Sequence, residues 1–454
     1  PLSFLFVLTR SGRMEIKMKN TIVLVYPRIH FEDNYPCSWI PYSVLAVASA
    51  LLEQDVNVII FDENRIYDNT FAQIINNNAD IFCIGFSIMT GGEQIRHALT
   101  LADIAKKILP TVVTVFGGPH VNVLPEETLR HPLVDIVLRG PGQTSFPLLI
   151  KALHQQAGFE DVPGLFMNID GKCFQGSVNE LTAQTLIPYK FGLIDVSNYI
   201  QCDATISEKT VNYISTQGCA YKCRFCYETS YQRKYGKLSC DTVVNDIENF
   251  VSKYGVDGIK FYDADWFIDS RRSEVLIDSF IHLGISWAAS IHPKDILRAK
   301  NNAQPLLNKL AGSNCKRLLM GIESGNDRVL KEVVDKGVSK NEAFDVAKAI
   351  AYHGILGSYT FIVGFPGESS EEQNDTFQFI ERLWSLSPRP ETRVHIYTPY
   401  PGTPLYQEAL KRGFIPPSRL EDWSDFDYYK ATTPWTDEAL EARVKEFTSM
   451  IPKN

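Results

Sequence analysis

Short apolar runs alternate with amphipathic stretches over the first third of the chain. The runs are Thr21–Pro27, Asn57–Asp62, Ile81–Ser87, Thr111–Phe116 and Asp135–Leu138. Each is rich in β-branched or aromatic side chains, which is typical of a buried strand. The stretches between them, such as Ser43–Gln54 and Gly92–Leu109, repeat apolar residues at helical spacing. Strands that alternate with helices predict a parallel, doubly wound α/β sheet over residues 21–155.

The second half repeats this alternation with six further runs. They are Val211–Ser215, Gly258–Asp265, Ile285–Ser290, Lys316–Ser324, Leu356–Gly364 and Thr392–Thr398. Amphipathic stretches separate them, among them Cys240–Tyr254, for which Ser239 or Asp241 is the candidate N-cap. Six strand–helix units predict a partial (β/α)6 barrel over residues 210–398. The chemistry of such barrels lies at the carboxyl ends of their strands.

Residues 156–209 lack this alternation and are interpreted as a linker. Within them, Leu165–Gly176 predicts a hairpin whose turn is Asp170-Gly171. Residues 1–20 are interpreted as a tail or an expression remnant. Residues 399–454 are expected to cover the barrel mouth, where Trp423, Tyr428 and Tyr429 are candidate lining residues.

Composition narrows the class of protein. The chain has 454 residues, 44% of them apolar and 22% charged, which indicates a globular protein of two or three domains. Its formal charge of −8 argues against nucleic acid as the main partner. No apolar run reaches the length of a membrane span, and the apolar start lacks the features of a signal peptide. Nine cysteines in so long a chain indicate a reducing compartment, so we expect a cytoplasmic protein.

Three of those cysteines form a tight motif after the first run of the second half. They are Cys219, Cys223 and Cys226, at spacing C-x3-C-x2-C. Thiolates select zinc, copper(I) and iron–sulfur clusters. A four-iron cluster held by three cysteines would keep one iron open to a substrate. A zinc site, which usually shows a second ligand pair, and three unrelated thiols are the alternatives.

Polar residues interrupt the apolar runs where the barrel strands are predicted to end. They are Asp263, Asp265, His292, Glu323, Ser324 and Thr398. The two aspartates could cap the following turn or bind an ammonium group. A buried Glu323 would be costly unless it were paired, which favours a role that faces a ligand.

The cysteine motif, with the aromatic Phe225 before its last cysteine, resembles the cluster loop of radical S-adenosylmethionine (SAM) enzymes. That resemblance implies a [4Fe-4S] cluster on Cys219, Cys223 and Cys226, with SAM on the open iron. Asp263 takes the place that contacts the SAM amino group. Gly321-Ile322-Glu323-Ser324-Gly325 is similar to the element in which Glu323 and Ser324 face SAM, and Gly364 belongs to the element near the adenine. His292 would contact the SAM carboxylate or the substrate, or would merely pack.

The first domain resembles the cobalamin-binding domain that precedes many radical SAM domains. Without that resemblance, its glycines could equally belong to ordinary turns. The matching residues are Ser87, Met89, Thr90, Gly117, Gly118, Pro119, His120, Gly140 and Gly142. Two departures stand out: Gly140-Pro141-Gly142-Gln143 replaces an acidic G-E-G-E element, and the D-x-H-x-x-G motif that supplies a histidine to cobalt is absent. The second departure also allows a degenerate domain that binds nothing.

Together the two resemblances imply a cobalamin-dependent radical SAM enzyme. Such enzymes commonly methylate an unactivated carbon of a small molecule through methylcobalamin and a 5′-deoxyadenosyl radical. They take electrons from an external donor such as flavodoxin or ferredoxin. The alternatives are a cyclase, ring-contracting or oxidising enzyme of the same architecture, and a non-catalytic cobalamin or iron–sulfur sensor.

Overall fold

The computed structural model describes residues 5–8, 14–17, 20–29, 39–65, 70–177, 186–230, 235–298, 303–426 and 433–449. The chain divides into two compact units. The first unit comprises Pro1–Leu181, Ile187–Asn198 and Pro416–Asp427, and the second comprises Thr182–Leu186, Tyr199–Ile415 and Tyr428–Asn454. Tyr428 and Tyr429 lie outside the described residues, as do most of residues 1–20.

The described part of the first unit contains nine strands. They are β1 Leu5–Leu8, β2 Met14–Lys17, β3 Thr21–Tyr26, β4 Asn57–Asp62, β5 Ile81–Ser87, β6 Val113–Gly117, β7 Ile136–Leu138, β8 Leu165–Ile169 and β9 Lys172–Gln175. Strands β1 and β2 form a separate antiparallel pair. The other seven form one sheet in the order β4-β3-β5-β6-β7-β8-β9. Strands β3 to β7 are parallel, so the predicted doubly wound sheet is confirmed.

Six helices among the described residues accompany this sheet. They are α1 Tyr42–Leu51, α2 Phe71–Asn77, α3 Glu93–Ile108, α4 Pro119–Val123, α5 Pro125–Leu129 and α6 Gly142–Leu153. Short 3₁₀ turns cover Phe159–Asp161, Phe191–Leu193, Val196–Tyr199 and Leu420–Asp425. The strand order reverses between β3 and β5, and ligands of doubly wound sheets bind at such a point, beyond the carboxyl ends of the strands. The predicted glycine-rich loops after β5, β6 and β7 lie along that edge.

The hairpin predicted within the linker is present, and it extends the first sheet. Strand β8 pairs with β7 and with β9, both in antiparallel fashion. Asp170 and Gly171 have φ values of 50° and 77°, as a tight two-residue hairpin turn requires. Leu165 and Phe166 are buried, so the hairpin covers the edge of β7 and closes the core on that side.

The second unit, over its described ranges, also contains nine strands. They are β10 Gln201–Asp203, β11 Ser207–Tyr213, β12 Thr216–Gln217, β13 Gly236–Lys237, β14 Gly258–Phe261, β15 Ser286–Ser290, β16 Cys315–Glu323, β17 Leu356–Val363 and β18 Glu391–Ile396. The main sheet has the order β10-β11-β14-β15-β16-β17-β18. Its last six strands are parallel and sequential, which is the predicted partial (β/α)6 barrel.

Nine helices lie in the same described ranges of the second unit. They are α7 Tyr227–Ser230, α8 Cys240–Tyr254, α9 Ser270–Leu283, α10 Pro293–Arg298, α11 Ala303–Gly312, α12 Lys340–Tyr352, α13 Ser370–Leu383, α14 Pro404–Lys411 and α15 Glu438–Ser449. A π-helical turn covers Val329–Val333. Ser239 is the N-cap of α8, because its hydroxyl accepts a hydrogen bond from Thr242 N. None of the helices within the described residues is long and apolar enough to cross a membrane.

The predicted domain boundaries stay a prediction, but the contacts group two segments differently. Residues Ile187–Asn198, which we assigned to the linker, join the first unit. Residues Pro416–Asp427, which we assigned to the barrel mouth, also join the first unit.

Candidate functional site

The cysteine loop follows β12 at the carboxyl end of the first barrel strand. Gly218 turns the chain into the loop with a φ of 85°. Backbone hydrogen bonds then fix Arg224 at the middle of the loop: its N–H donates to Val334 O (2.9 Å) and its carbonyl accepts from Leu405 N (3.1 Å). The Thr229 hydroxyl donates to Cys223 O at 2.9 Å. The loop is therefore held from three sides, and its thiols occupy defined positions.

The three thiols resist ionisation on their own. Burial raises the pKa of Cys219 to about 11 and that of Cys226 to about 12, and each thiolate adds to the effect at its neighbours. Burial also raises the pKa of Cys223. Metal ions bind thiolates and displace such protons. Within the described ranges, no three His, Cys, Asp or Glu side chains converge closely enough to hold one metal ion. Three cysteines that each bind a different iron do not need to converge on one point.

A buried ion pair is the strongest electrostatic feature at this end of the barrel. Lys336 Nζ lies 3.0 Å from Glu323 Oε1, and both side chains are about 7% exposed. Burial lowers the pKa of Lys336, but Glu323 and the neighbouring Cys223 raise it more, so the net shift is upward. Lys336 in turn lowers the pKa of Cys223, whereas Glu323 raises it. The ion pair thus places fixed charges of both signs near the cysteine loop.

The backbone around the ion pair is arranged to admit it. A Cβ atom at Gly321 would lie 2.2 Å from Glu323 Oε1, so only glycine leaves room for the carboxylate. Glu323 itself has a φ of 75°, a left-handed conformation that costs a non-glycine residue energy and clusters at functional sites. The π-helical turn Val329–Val333 leads to Lys336, whose backbone N–H donates to Leu330 O at 2.8 Å.

Asp263, the predicted contact for the SAM amino group, is occupied by hydrogen bonds within the chain. Its Oδ1 accepts from Ser215 N (2.7 Å) and Thr216 N (2.8 Å), and its Oδ2 accepts from the Ser215 hydroxyl (2.6 Å). The side chain is 2% exposed. Asp263 thus holds the segment that leads into the cysteine loop, and its contact with the SAM amino group stays a prediction.

Asp265 is the aspartate whose side chain remains available to bind a ligand. It lies against Asp295, and burial together with this second carboxylate raises the pKa of Asp265 well above its usual range. Its Oδ1 accepts from Phe267 N at 3.1 Å. Its Oδ2 is buried and has no hydrogen-bond donor among the described residues. Two adjacent carboxyl groups, one of which has an oxygen without a donor, form a site that an ammonium group can enter.

Asp295 and His292 connect this carboxyl pair to the cysteine loop. The Tyr221 hydroxyl donates to Asp295 Oδ1 at 2.8 Å, and the Tyr221 ring stacks on His292 at 3.6 Å and 17°. Burial lowers the pKa of His292 to about 2, so its ring is neutral. His292 Nδ1 accepts from Lys294 N, while Nε2 is buried without a partner in the part of the chain that the structure describes.

The remaining predicted SAM contacts differ in what their polar groups do. The Ser324 side chain is fully buried, and its hydroxyl bonds Thr376 Oγ1 (3.1 Å) and accepts from Asn326 N (3.1 Å), so it holds the loop to α13. Its contact with SAM stays a prediction. Gly364 donates to Glu368 Oε2 and accepts from Trp435 Nε1 (2.9 Å). Phe225 packs against Phe365 with ring centroids 6.0 Å apart.

In the first unit, the predicted residues after β5 and β6 meet around one backbone position. Ile88 N donates to Gly117 O (3.0 Å), and His120 N donates to Ile88 O (3.2 Å). Gly118 has a φ of 97°, and a Cβ atom there would lie 2.7 Å from Ile88 O and 3.1 Å from Ser87 Oγ. The glycine is required because two loops approach each other at this point.

The other predicted residues at the carboxyl edge of the first sheet make separate contacts. Gly140 N donates to Asn122 Oδ1 at 2.8 Å, which joins the loop after β7 to α4. Met89, 47% exposed, donates its N–H to Gln94 Oε1, and Gln94 Nε2 donates to Pro27 O. Gly142 stands apart, because a Cβ atom there would lie 2.9 Å from the Val47 side chain of α1, so its role is helix packing.

His120 and Thr90 carry buried polar atoms that nothing in the described chain satisfies. The His120 side chain is fully buried, and neither ring nitrogen has a hydrogen-bond partner among the described residues. Burial lowers the pKa of His120 to about 3, so the ring is neutral. Thr90 Oγ1 is also buried and has no hydrogen-bond partner among the described residues. Such atoms are rare in native structures and indicate a missing partner such as water or a ligand.

Two family profiles match the two units. The radical SAM superfamily profile matches residues 213–380. The B12-binding domain profile matches residues 33–150. The second unit therefore carries a radical SAM domain, and the first carries a B12-binding domain. The cysteine loop lies within the first match, and the carboxyl edge with Ser87, Gly118 and His120 lies within the second.

Curated relatives of this radical SAM protein match nearly its whole length. An uncharacterized methyltransferase of Pyrococcus horikoshii is 26% identical over 408 residues, which cover 87% of this chain and 84% of that protein. The cytidylyl-2-hydroxyethylphosphonate methyltransferase of Streptomyces wedmorensis is 23% identical, over 90% of this chain and 85% of its own. An anaerobic magnesium-protoporphyrin IX monomethyl ester cyclase of Rubrivivax gelatinosus is 24% identical, over 91% and 73%.

A solved structure shares the fold of this chain. It is the radical S-adenosylmethionine methyltransferase TsrM from Kitasatospora setae, with tryptophan substrate and a SAM analog bound. The TM-score is 0.69 over 96% of this chain and 89% of that chain, at 15% identity. At this identity the likeness shows the fold alone.

The residues present fit the groups that the radical SAM superfamily and the B12-binding domain imply. Three clustered thiols with raised pKa values suit an iron–sulfur cluster, and orphaned polar atoms beside Gly118 suit a bound ligand. Sequence reasoning missed Lys336, Asp295, Gln94 and Asn122. A buried Glu323 requires a cation, but Arg328, Lys331 and Lys336 all follow it, and the sequence does not choose among them.

Proposed function

We propose that this chain is a cobalamin-dependent radical SAM methyltransferase that methylates an unactivated carbon of a small-molecule substrate. The observation that carries the proposal is the anchored three-cysteine loop with the buried Glu323–Lys336 ion pair beside it. A cluster that has three protein ligands keeps one iron for another ligand, and a binding site for the charged methionine part of SAM needs fixed charges of both signs. The relatives named as methyltransferases support transfer of a methyl group.

Cys219, Cys223 and Cys226 would hold the cluster, and the Glu323–Lys336 pair and Asp265 would orient SAM. Asp265 replaces Asp263 as our candidate for the SAM amino group, because its Oδ2 has no other donor among the described residues and Asp263 is occupied. When bound, the cluster and SAM supply a carbon-centred radical and the cobalamin supplies the methyl group. Phe225 and Phe365 pack against each other beside the loop.

Ser87, Met89, Thr90, Gly117, Gly118, Pro119, His120 and Gly140 would bind the cobalamin. The glycines bring the loops after β5 and β6 together, and neutral His120 offers one donor and one acceptor nitrogen. The electron donor would be a flavodoxin or ferredoxin. The described cysteines are free thiols, which is consistent with a reducing compartment, so we infer that the protein works in the cytoplasm.

The test is product analysis of anaerobically reconstituted protein with SAM, cobalamin and a reductant. A methyltransferase of this type forms both 5′-deoxyadenosine and S-adenosylhomocysteine. The cyclase relative favours a second candidate, radical chemistry without methyl transfer, for which 5′-deoxyadenosine forms alone. Formation of neither product would contradict both candidates.

A further inference from the structure

The C-terminal segment Leu420–Phe426, which we call the strap, is built into the first unit. Its 3₁₀ turn buries Leu420, Trp423 and Ser424, and Phe426 after the turn is also buried; all four are less than 7% exposed. The segment is separated in sequence by more than 200 residues from the rest of this unit. We expected Trp423 to line the barrel mouth, whereas its contacts in the structure are with the carboxyl edge of the first sheet.

The strap docks through its backbone on the turn that starts α3. Gly92 N donates to Trp423 O at 3.0 Å. Gly91 has a φ of 80°, and a Cβ atom there would lie 1.8 Å from Phe426 O. The turn therefore needs glycine for both its conformation and its contact with the strap. Arg96 pairs with Asp425 at 2.8 Å beside this contact, but both side chains are largely exposed and add little.

Trp423 is the anchor of the strap, and it touches two helices that follow β6. Its Nε1 donates to Glu127 Oε1 at 2.6 Å. Its ring meets His120 edge to face, with centroids 5.5 Å apart and planes at 72°. Trp423 is 1% exposed. Removal of this ring would free His120 and Glu127 to move.

The strap covers a set of neutral polar atoms that lack partners. Ser424 Oγ, Thr90 Oγ1 and both nitrogens of His120 are buried without a hydrogen bond among the described residues. Each such atom costs about 1–3 kcal/mol if it stays unpaired. The charged groups nearby carry both signs: Glu127 accepts the hydrogen bond from Trp423, and Glu93, which follows the docking turn, is paired with Arg96. The unpartnered atoms themselves are neutral donors and acceptors, which suit amide or hydroxyl groups.

We propose that the strap is part of the cobalamin site, with Trp423 as a positioning residue that holds His120 and the turn Thr90–Gly92 for neutral polar groups of the ligand. The rim of the corrin ring carries carboxamide side chains, which are groups of this class. The inference rests on the proposed binding of cobalamin. It adds that the C-terminal part of the chain takes part in binding it.

The test is an anaerobic absorbance titration of hydroxocobalamin into the cluster-loaded full chain. Trp423→Phe keeps an aromatic ring and loses the bond to Glu127, and it is expected to raise the Kd about tenfold. Trp423→Ala is expected to raise it further. Trp384→Phe is the matched control, because Trp384 donates its indole N–H to Thr392 in the second unit. Its Kd should equal that of the wild type.

Iron content and the thermal midpoint of the cobalamin-free protein separate positioning from structure. A positioning role predicts a raised Kd in Trp423→Phe with an unchanged iron content and a single unfolding transition above the temperature of the titration, although loss of the buried indole lowers the thermal midpoint. Glu127→Ala leaves the Trp423 ring in place, and it is expected to raise the Kd by a smaller factor than Trp423→Phe does. A Kd within about twofold of wild type for both Trp423→Phe and Glu127→Ala overturns this inference and leaves the proposed cobalamin binding standing. A wild-type chain that does not bind hydroxocobalamin overturns the proposed cobalamin binding, and the inference with it.

Discussion

The carboxyl ends of the two sheets differ in the polar groups that they bury. The barrel end buries the Glu323–Lys336 ion pair near the cysteine loop, and Asp265 lies against a second carboxyl group, Asp295. The edge of the doubly wound sheet also buries a paired charge, Asp62 with Arg65, but in and beside the strap the buried polar atoms of His120, Thr90 and Ser424 are neutral and have no hydrogen-bond partners among the described residues.

This difference matches the ligands proposed for the two sites. SAM carries an ammonium, a carboxylate and a sulfonium group. Such groups bind where the protein already holds fixed charges of the opposite sign. A ligand rimmed by amides needs donors and acceptors without net charge. Buried charges must be paired before the ligand arrives because an unpaired buried charge is far more costly than an unpaired neutral group.

Loss of one cluster thiol should have the largest effect. In Cys223→Ala the cluster keeps too few ligands, so we expect no iron–sulfur absorbance and no cleavage of SAM. Cys202→Ala is the control, because Cys202 is an exposed thiol of the same unit. Iron analysis and the 5′-deoxyadenosine assay measure the two quantities. A cluster retained in Cys223→Ala would break the assignment of the charged site.

Breaking the buried ion pair should have the next largest effect. Lys336→Met leaves Glu323 buried without a partner, and we expect the free energy of unfolding of the second unit to fall by about 3–5 kcal/mol. Denaturant unfolding measures it. Lys411→Met, which removes an exposed pair with Glu408, should change it little.

The double variant Glu323→Gln with Lys336→Met sharpens this test. Because it leaves no unpaired charge, most of the lost stability should return. SAM binding, measured by equilibrium dialysis, should be lost in Lys336→Met and should not return in the double variant. Recovery of both would show that the pair serves stability alone.

The carboxyl pair predicts a dependence on pH. Burial and Asp295 raise the pKa of Asp265 above its ordinary value of 3.8. The contribution of protonated Asp265 to the free energy of unfolding is therefore full below pH 3.8 and is lost as the pH rises through the raised pKa. Between about pH 5 and pH 9 the thermal midpoint of the wild type should fall relative to that of Asp265→Asn. Parallel curves for the two proteins would contradict the shift, and exposed Asp241→Asn, which should follow the wild type, is the control.

The smallest effect is expected at the neutral edge. Gln94 bridges Met89 N and Pro27 O, and each such hydrogen bond contributes about 0.5–1.5 kcal/mol. Gln94→Ala should weaken cobalamin binding about threefold to tenfold without loss of iron. Gln73→Ala, at the exposed cap of α2, should leave the Kd unchanged. An unchanged Kd in Gln94→Ala would remove this residue from the site.

Periodicity was sufficient to predict both sheets, because alternating strands and helices leave a strong pattern. Spacing was sufficient for the cysteine loop, since three thiols within eight residues share one loop whatever the rest of the chain does. The choice between Asp263 and Asp265 could not be made, because both follow the same strand and only the loop at Ser215 decides which one is occupied.

Partners distant in sequence were also out of reach. Lys336 meets Glu323 through a π-helical turn, which leaves no periodic signal. Trp423 meets His120 only because the chain returns to the first unit near its end. Composition and local spacing contain no information about such a return.

The central claim is that three cysteines leave one iron open to SAM beside a buried ion pair. The most direct measurement is the electron paramagnetic resonance spectrum of the reduced, cobalamin-free protein with and without SAM. We predict the signal of a reduced [4Fe-4S] cluster whose g-values shift when SAM is added, and no shift in the double variant of Glu323 and Lys336. A cluster signal that SAM leaves unchanged in the wild type would contradict the account.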